Sequence, residues 1–407
     1  MVYSWTNVAL LCLGMVAYGE DAAAYKAGDI VFPKNESVEL KTEEDGQETA
    51  LDADQIQYTV IEQKKNRLKV KLGDGKWAWL EAEDVVLASK AASYFSEQIT
   101  KEATADLHIR RAYVYKLEDK LEKALADFSA AVKLQPEDVL VWINRGDFYS
   151  ETKDYDKAIE DFTEAIKIDE DYGYAYIGRG NARLEKKEFE KALKDFGKAL
   201  EIDPQDTTAL LSRGNAYLEQ KEYDAAIKEY NEVLEIIPNS AYAYVCRANA
   251  QAAKKDFEKA LADYTKSLKI DPENSGAFAS RGNCYADKKE YDKALKDFTE
   301  AIKIDPKSEY AINGEAWLLA TCPEPKYRDG KKAVELAQKA CELSHFKDLN
   351  LVDTLAAAFA EVGKFEEAVK WQEKAIRNPF ASDTEISEAK ERLELYKMKK
   401  PYRDERK

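Results

Sequence analysis

The sequence predicts a mainly α protein, an array of helix-turn-helix repeats preceded by a small all-β barrel. Three observations carry this. Proline returns at Pro136, Pro204, Pro238, Pro272 and Pro306, the last four 34 residues apart and the first gap 68, with Glu170 in the skipped slot. So strict a period marks one supersecondary unit copied many times. Upstream of each slot lies a small residue, an aromatic and another small residue at spacings of four and three, which places all three on one helical stripe. Between Tyr25 and Leu87 the pattern changes to short runs of alternating apolar residues.

At the start of the chain, Val8 to Val16 is apolar but too short to span a bilayer, which takes about 20 residues. Ala17 and Gly19 are the small residues before a cut near Glu20, so residues 1–19 read as a signal peptide. The chain is then exported, periplasmic or secreted. Cytoplasmic residence is the alternative, because no Lys or Arg precedes Lys26. Leu11 is too bulky to precede a lipidated Cys12, and no other segment is apolar enough to cross a membrane.

Residues 24–88 form the predicted barrel. Its strands carry Ile30-Val31-Phe32, Val38 with Leu40, Tyr58-Thr59-Val60-Ile61, Leu68/Val70/Leu72, and Trp77 with Trp79, and Gly73-Asp74-Gly75 makes a tight turn. Residues 36–54 are rich in acids and read as a solvated loop. Residues 89–103, with Tyr94 and Phe95, read as a connecting helix.

The repeats follow. The second-helix stripes are Ala124/Phe128/Ala131, Ala158/Phe162/Ala165, Ala192/Phe196/Ala199, Ala226/Tyr230/Val233, Ala260/Tyr264/Ser267 and Ala294/Phe298/Ala301. The first-helix stripes are Ala112/Tyr115, Gly146/Tyr149, Gly180/Arg183, Gly214/Tyr217, Ala248/Gln251 and Gly282/Tyr285. Polar residues such as Lys153-Asp154 and Lys288-Lys289 mark the joints, and proline stops the second helix. Each hairpin has an apolar face that only its neighbours can cover.

These residues, with Trp142, Tyr176, Leu210, Tyr244 and Phe278, resemble the tetratricopeptide repeat over six units in 104–308. The departures are Glu170 for proline, and Arg183 and Gln251 for tyrosine. The resemblance implies a right-handed superhelical solenoid whose first helices line a concave groove that binds peptide or protein. Two divergent units follow in 309–379, the first with a long joint from Cys322 to Gly330. A capping helix occupies 380–400, and 401–407 read as a charged, mobile tail. Near the N-terminus, Gly28-Asp29-Ile30-Val31 and Asp74 to Leu80 resemble a bacterial Src-homology-3-like domain, with Ala78 and Leu80 as departures. That resemblance implies a possible cell-wall ligand. The competing reading has Trp77 and Trp79 filling the barrel and covering its joint to the array.

A net charge of −16 argues against nucleic acid as the main partner and against anionic membranes. Pairs such as Glu164/Lys167, and the set around Asp297, read as solvated helix surface. The two histidines, His108 and His345, stand far apart, and no phosphate loop, nucleophile elbow or metal motif occurs. We therefore expect no catalytic residues, metal or cofactor: the chain reads as non-enzymatic. Cys246, Cys284, Cys322 and Cys341 match no zinc spacing; the first two either bridge or remain small buried thiols.

Two periodic sets remain. Asn181, Asn215, Asn249 and Asn283 follow the small packing residue, so an amide ladder facing the groove is one reading and bonding within the helices the other. Tyr174, Tyr242, Ile177 and Leu211, with Val245, make the groove partly apolar. Arg111, Arg145, Arg179, Arg213, Arg247 and Arg281 read as a structural row bridging helices, with an acidic ligand as the sharper alternative. The expected function is a protein-interaction scaffold of the bacterial cell envelope. The runner-up is a cell-wall-associated protein with the barrel as ligand module and the repeats as spacer.

Overall fold

The computed structural model describes residues 25–34, 38–44, 47–52, 57–72, 76–378 and 382–405. The predicted signal peptide, Cys12 and the Gly73-Asp74-Gly75 turn lie outside them. The chain divides after Pro204 into two compact units.

The first unit begins with an antiparallel sheet of seven strands: β1 (Ile30–Pro33), β2 (Glu39–Glu44), β3 (Gln47–Asp52), β4 (Tyr58–Lys64), β5 (Arg67–Lys71), β6 (Trp77–Glu81) and β7 (Val85–Leu87), in the order β3-β2-β6-β5-β4-β1-β7. The period-two pattern sends Val31, Tyr58, Val60, Leu68, Val70 and Leu80 into one core. The acidic stretch 36–54 is not a loop. Its β2 and β3 pair along their whole length, from Glu39–Asp52 to Glu44–Gln47, and Lys41 pairs with Trp79 on β6. The pairing belongs to the backbone, so an acidic composition did not reveal it.

The joint from sheet to helices also differs from expectation. It is made by Phe32 and Val86 of the sheet, Ala91 and Phe95 of α1 (Ala88–Lys101), and Val114 of α2 (Ala105–Leu117). Trp77 and Trp79 instead pack edge to face at 6.2 Å, with Lys69 Nζ 3.7 Å from the Trp77 ring centre.

The remaining helices of this unit are α3 (Leu121–Leu134), α4 (Val139–Glu151), α5 (Tyr155–Ile168), α6 (Gly173–Glu185) and α7 (Phe189–Ile202). In the second unit they are α8 (Thr207–Glu219), α9 (Tyr223–Ile236), α10 (Ala241–Ala253), α11 (Phe257–Ile270), α12 (Ser275–Asp287), α13 (Tyr291–Ile304), α14 (Glu309–Thr321), α15 (Gly330–Leu343), α16 (Leu349–Glu361), α17 (Phe365–Ile376) and α18 (Asp383–Lys397). From α2 onward they pair as hairpins, and within each unit a second helix also packs on the first helix of the next hairpin. Phe128, Phe162, Phe196, Tyr230 and Phe298 are fully buried.

The joints of the first six hairpins share one geometry. Asp119, Lys153, Lys187, Lys221, Lys255 and Lys289 all have positive φ, between 57° and 65°. The following N–H returns to the carbonyl five residues back, as in Glu222 to Tyr217 at 2.8 Å, which ties off the helix end.

The described part of the C-terminal tail, 401–405, is packed, contrary to a mobile reading. Asp404 accepts a hydrogen bond from Trp317 Nε1 at 2.7 Å, its N–H donates to the Thr321 carbonyl at 2.9 Å, and Arg403 meets Glu361 at 2.6 Å. Charged residues are legible as solvated, but the half-buried Trp317 N–H takes an acceptor, and the tail supplies it.

At Gly282 and Gly314 the missing side chain makes room for a ring. A Cβ on Gly314 would stand 2.5 Å from the Phe298 ring, and one on Gly282 2.9 Å from it. Gly314→Ala is expected to destabilise by about 1–3 kcal/mol in urea unfolding. At Gly197 nothing lies within 4 Å, so Gly197→Ala should stabilise by about 0.5–1 kcal/mol. The same sign for both variants would refute the packing argument.

Candidate protein-interaction face

The arginine row is built into the scaffold. Each guanidinium reaches a carboxylate 16 residues later, on the second helix of its own hairpin. Arg111 holds Asp127, Arg145 holds Asp161, Arg179 holds Asp195, Arg247 holds Asp263 and Arg281 holds Asp297, each with two bonds of 2.7–3.0 Å. The acids are buried. A third arm reaches the preceding second helix, from Arg179 to Thr163 at 3.2 Å, Arg247 to Asn231 at 2.5 Å and Arg281 to Thr265 at 3.2 Å. Aromatic rings flank the planes, as Tyr244 does Arg247 at 5.5 Å and Phe278 does Arg281 at 5.4 Å. One side chain thus ties three helices.

Asp297 is therefore a buried clasp partner and not solvated surface. The signal was present in sequence: an acid precedes the packing aromatic in every unit, as in Asp161-Phe162 and Asp263-Tyr264. Arg213 is the weakest copy, with one bond to Glu229 at 2.7 Å and a buried Nε without partner among the described residues. Arg183 strengthens its copy, adding a bond of 2.7 Å to Asp195. In α14 the polarity reverses, for buried Glu315 occupies the arginine column and meets Lys332.

The asparagines fall into different settings. Asn181 is exposed and makes no hydrogen bond among the described residues. Asn215 Oδ1 accepts from Tyr230 at 2.7 Å, and its side chain also bonds the Tyr242 hydroxyl. Asn249 Oδ1 accepts from Tyr264 at 2.6 Å. Asn283 Nδ2 donates to the Tyr310 hydroxyl at 2.7 Å. Two of the four carbonyls are thus engaged where a tyrosine replaces the packing phenylalanine.

Tyr242 is 58% exposed and Tyr310 54%, both on first helices of the second unit. Sequence reading missed Tyr310, although it stands two periods beyond Tyr242. Tyr174 is half-buried, and Leu211 packs beside the core of Ala226 and Tyr230. Ile177 does not line an open surface, because at 2% exposure it turns into the hairpin interior.

Asp147 occupies the asparagine column in the first unit and accepts from the Tyr174 hydroxyl at 3.1 Å. Burial pushes its carboxyl up to about 7; the Tyr174 bond opposes this, Glu151 adds to it and Lys116 opposes it. The four described cysteines are free and buried, and burial raises Cys284 and Cys341 to about 12. Among the described residues no His, Cys, Asp and Glu group could hold a metal ion, and no helix is long and apolar enough to cross a membrane.

The tetratricopeptide repeat family matches residues 105–138, 139–172, 177–241, 241–274 and 276–308, so these hairpins are tetratricopeptide repeats. Such repeats are typically non-enzymatic interaction modules. A tetratricopeptide repeat protein from Parabacteroides merdae is similar at 17% identity, over 72% of this chain and 98% of that one, with a TM-score of 0.49. Yeast Tom70 is similar at 16% identity over 76% and 92%, TM-score 0.44. YrrB, described as having an unusual peptide-binding site, is 24% identical over 46% and 97%, TM-score 0.37. No curated protein matches.

Two outcomes are expected. Arg247→Ala leaves a buried carboxylate unpaired and should cost about 3–5 kcal/mol; if the clasp is as drawn, adding Asp263→Ala recovers part of that loss. Asp147 binds its proton more tightly folded than unfolded, so its contribution to stability is present below about pH 4 and is lost as pH rises toward 7, by up to about 1.4 kcal/mol per unit. Asp147→Asn should flatten that decline in melting temperature; parallel profiles for both chains would contradict it.

Proposed function

We propose that the protein is a non-enzymatic scaffold that holds an extended peptide or protein segment along the first-helix face. The observation that carries this is the exposure of Tyr242 and Tyr310 on the face that also presents Asn249 and Asn283. Exposed tyrosines offer apolar area and a polar tip, and amides can bond a peptide backbone without reading its side chains. The Asn249 amide nitrogen has no bond among the described residues, and Gly276 stands where the column of Tyr242 and Tyr310 would place a ring. That opening suits a backbone. The arginine row is committed to Asp and Glu and leaves the face without the cations an acidic ligand needs.

We also infer export to the cell envelope, on the strength of the Val8–Val16 stretch. Mass spectrometry of the native chain should then find it beginning near Glu20; an intact Met1 would overturn export.

Tyr242→Ala with Asn249→Ala should weaken binding of peptides selected from a display library by about 1–3 kcal/mol, with the circular dichroism spectrum unchanged. Undiminished binding would reject this face.

A further inference from the structure

The first helices of the second unit carry a row of tyrosine rings with a gap in it. Tyr242 lies in the first turn of α10 and Tyr310 in the first turn of α14, and they stand 34 residues before and after Gly276 of α12. Each of these tyrosines is tied to the preceding first helix by an asparagine 27 residues earlier. Asn283 Nδ2 donates to the Tyr310 hydroxyl at 2.7 Å, and the Asn215 side chain bonds the Tyr242 hydroxyl. Between these two rungs Asn249 stands in the same register to Gly276. The asparagine is kept and the phenol is gone.

Both ends of the gap are open. Gly276 is exposed, and a Cβ built on it would meet only Asn274 Oδ1, at 3.5 Å, an ordinary contact. At the other end Asn249 Oδ1 accepts from Tyr264 at 2.6 Å, while its amide nitrogen has no hydrogen bond among the described residues. Asn215 has the same arrangement with the last place filled. Its Oδ1 accepts from Tyr230 of its own hairpin at 2.7 Å, and its side chain also holds Tyr242 of the next. Asn249 therefore lacks one partner that its counterpart has, and the neighbouring rungs show what that partner is.

We propose that this gap seats a tyrosine side chain of the bound partner, with its ring over Gly276 and its hydroxyl on Asn249 Nδ2. The inference rests on the peptide-binding reading above and names the residue that the open rung selects. Backbone and side chain do not compete for the amide, because Nδ2 carries two N–H groups, one for the guest's main chain and one for the phenol. A tyrosine ring gives a large contact area while freezing only two torsions. Phenylalanine covers the same ground but brings no acceptor, so it shuts the amide N–H away from water without a partner. A small side chain leaves the gap to solvent.

The test begins with selection of random short peptides from a display library on the full chain. Binders should share a tyrosine at one fixed position. In calorimetric titration, changing that tyrosine to phenylalanine should weaken a selected peptide about fivefold, and changing it to alanine about tenfold or more. A Gly276→Tyr variant fills the gap from within. Its site is exposed and lies in the first turn of α12, so its melting temperature should not fall below that of the native chain. On this variant the tyrosine, phenylalanine and alanine peptides should bind alike. The phenylalanine comparison needs only the native chain. Binders without a shared tyrosine, equal affinity for the tyrosine and phenylalanine peptides, or a tyrosine preference that survives in Gly276→Tyr would each overturn the slot while the peptide face stands. A library that yields no binder removes the peptide face and this inference with it.

Discussion

One interaction holds the six regular repeats in register: an arginine on the first helix that binds a buried carboxylate 16 residues later. In a bare hairpin, that carboxylate would lie in an apolar interior at heavy cost. The guanidinium makes its burial tolerable, and its planar fork fixes the angle between the two helices. Where the third arm reaches Thr163, Asn231 or Thr265, the same side chain also sets the spacing to the preceding hairpin. Apolar packing supplies most of the driving force, but it is non-directional. The clasp adds direction, and with it a reason why Phe162 meets Gly178 and not a neighbouring turn.

The consequence reaches the binding face. First helices carry the arginines, and the same helices carry the binding face two positions further along. Asn283 sits two positions beyond Arg281 and donates to Tyr310 of the next hairpin. The same relation joins Asp147 to Tyr174 and Asn215 to Tyr242. In every case the tyrosine follows by 27 residues, and the bridge is absent at Asn249, where Gly276 takes the tyrosine slot. In the second unit the face therefore alternates between closed rungs, tied by a tyrosine, and an open one, free to bond a guest.

Much of this was legible in the sequence, and the parts that were not have definite causes. Periodicity gave the hairpins because helix stripes and proline stops repeat in fixed phase. It gave the arginine row but not its partners, since Asp127 or Asp297 looks like any other acid on a charged helix until the neighbouring hairpin covers it. Of the candidate groove residues, Ile177 was misplaced because one helical position separates the interior from the face. The hairpin of β2 and β3 was hidden by its acids, and the packed tail by its charge; both depend on partners distant in sequence.

Glu315 reverses the charge of the arginine column, and Lys332 answers it. Tandem genes lengthen and shorten by unequal crossing-over, and near-identical hairpins invite such exchange. A chimaera that joined an earlier first helix to α15 would set an arginine against Lys332, and one that joined α14 to an earlier second helix would set Glu315 against an aspartate. The seventh hairpin therefore cannot exchange a single helix with the six regular ones without setting like charges against each other. The inverted pair thus acts as a key that admits only its own two helices.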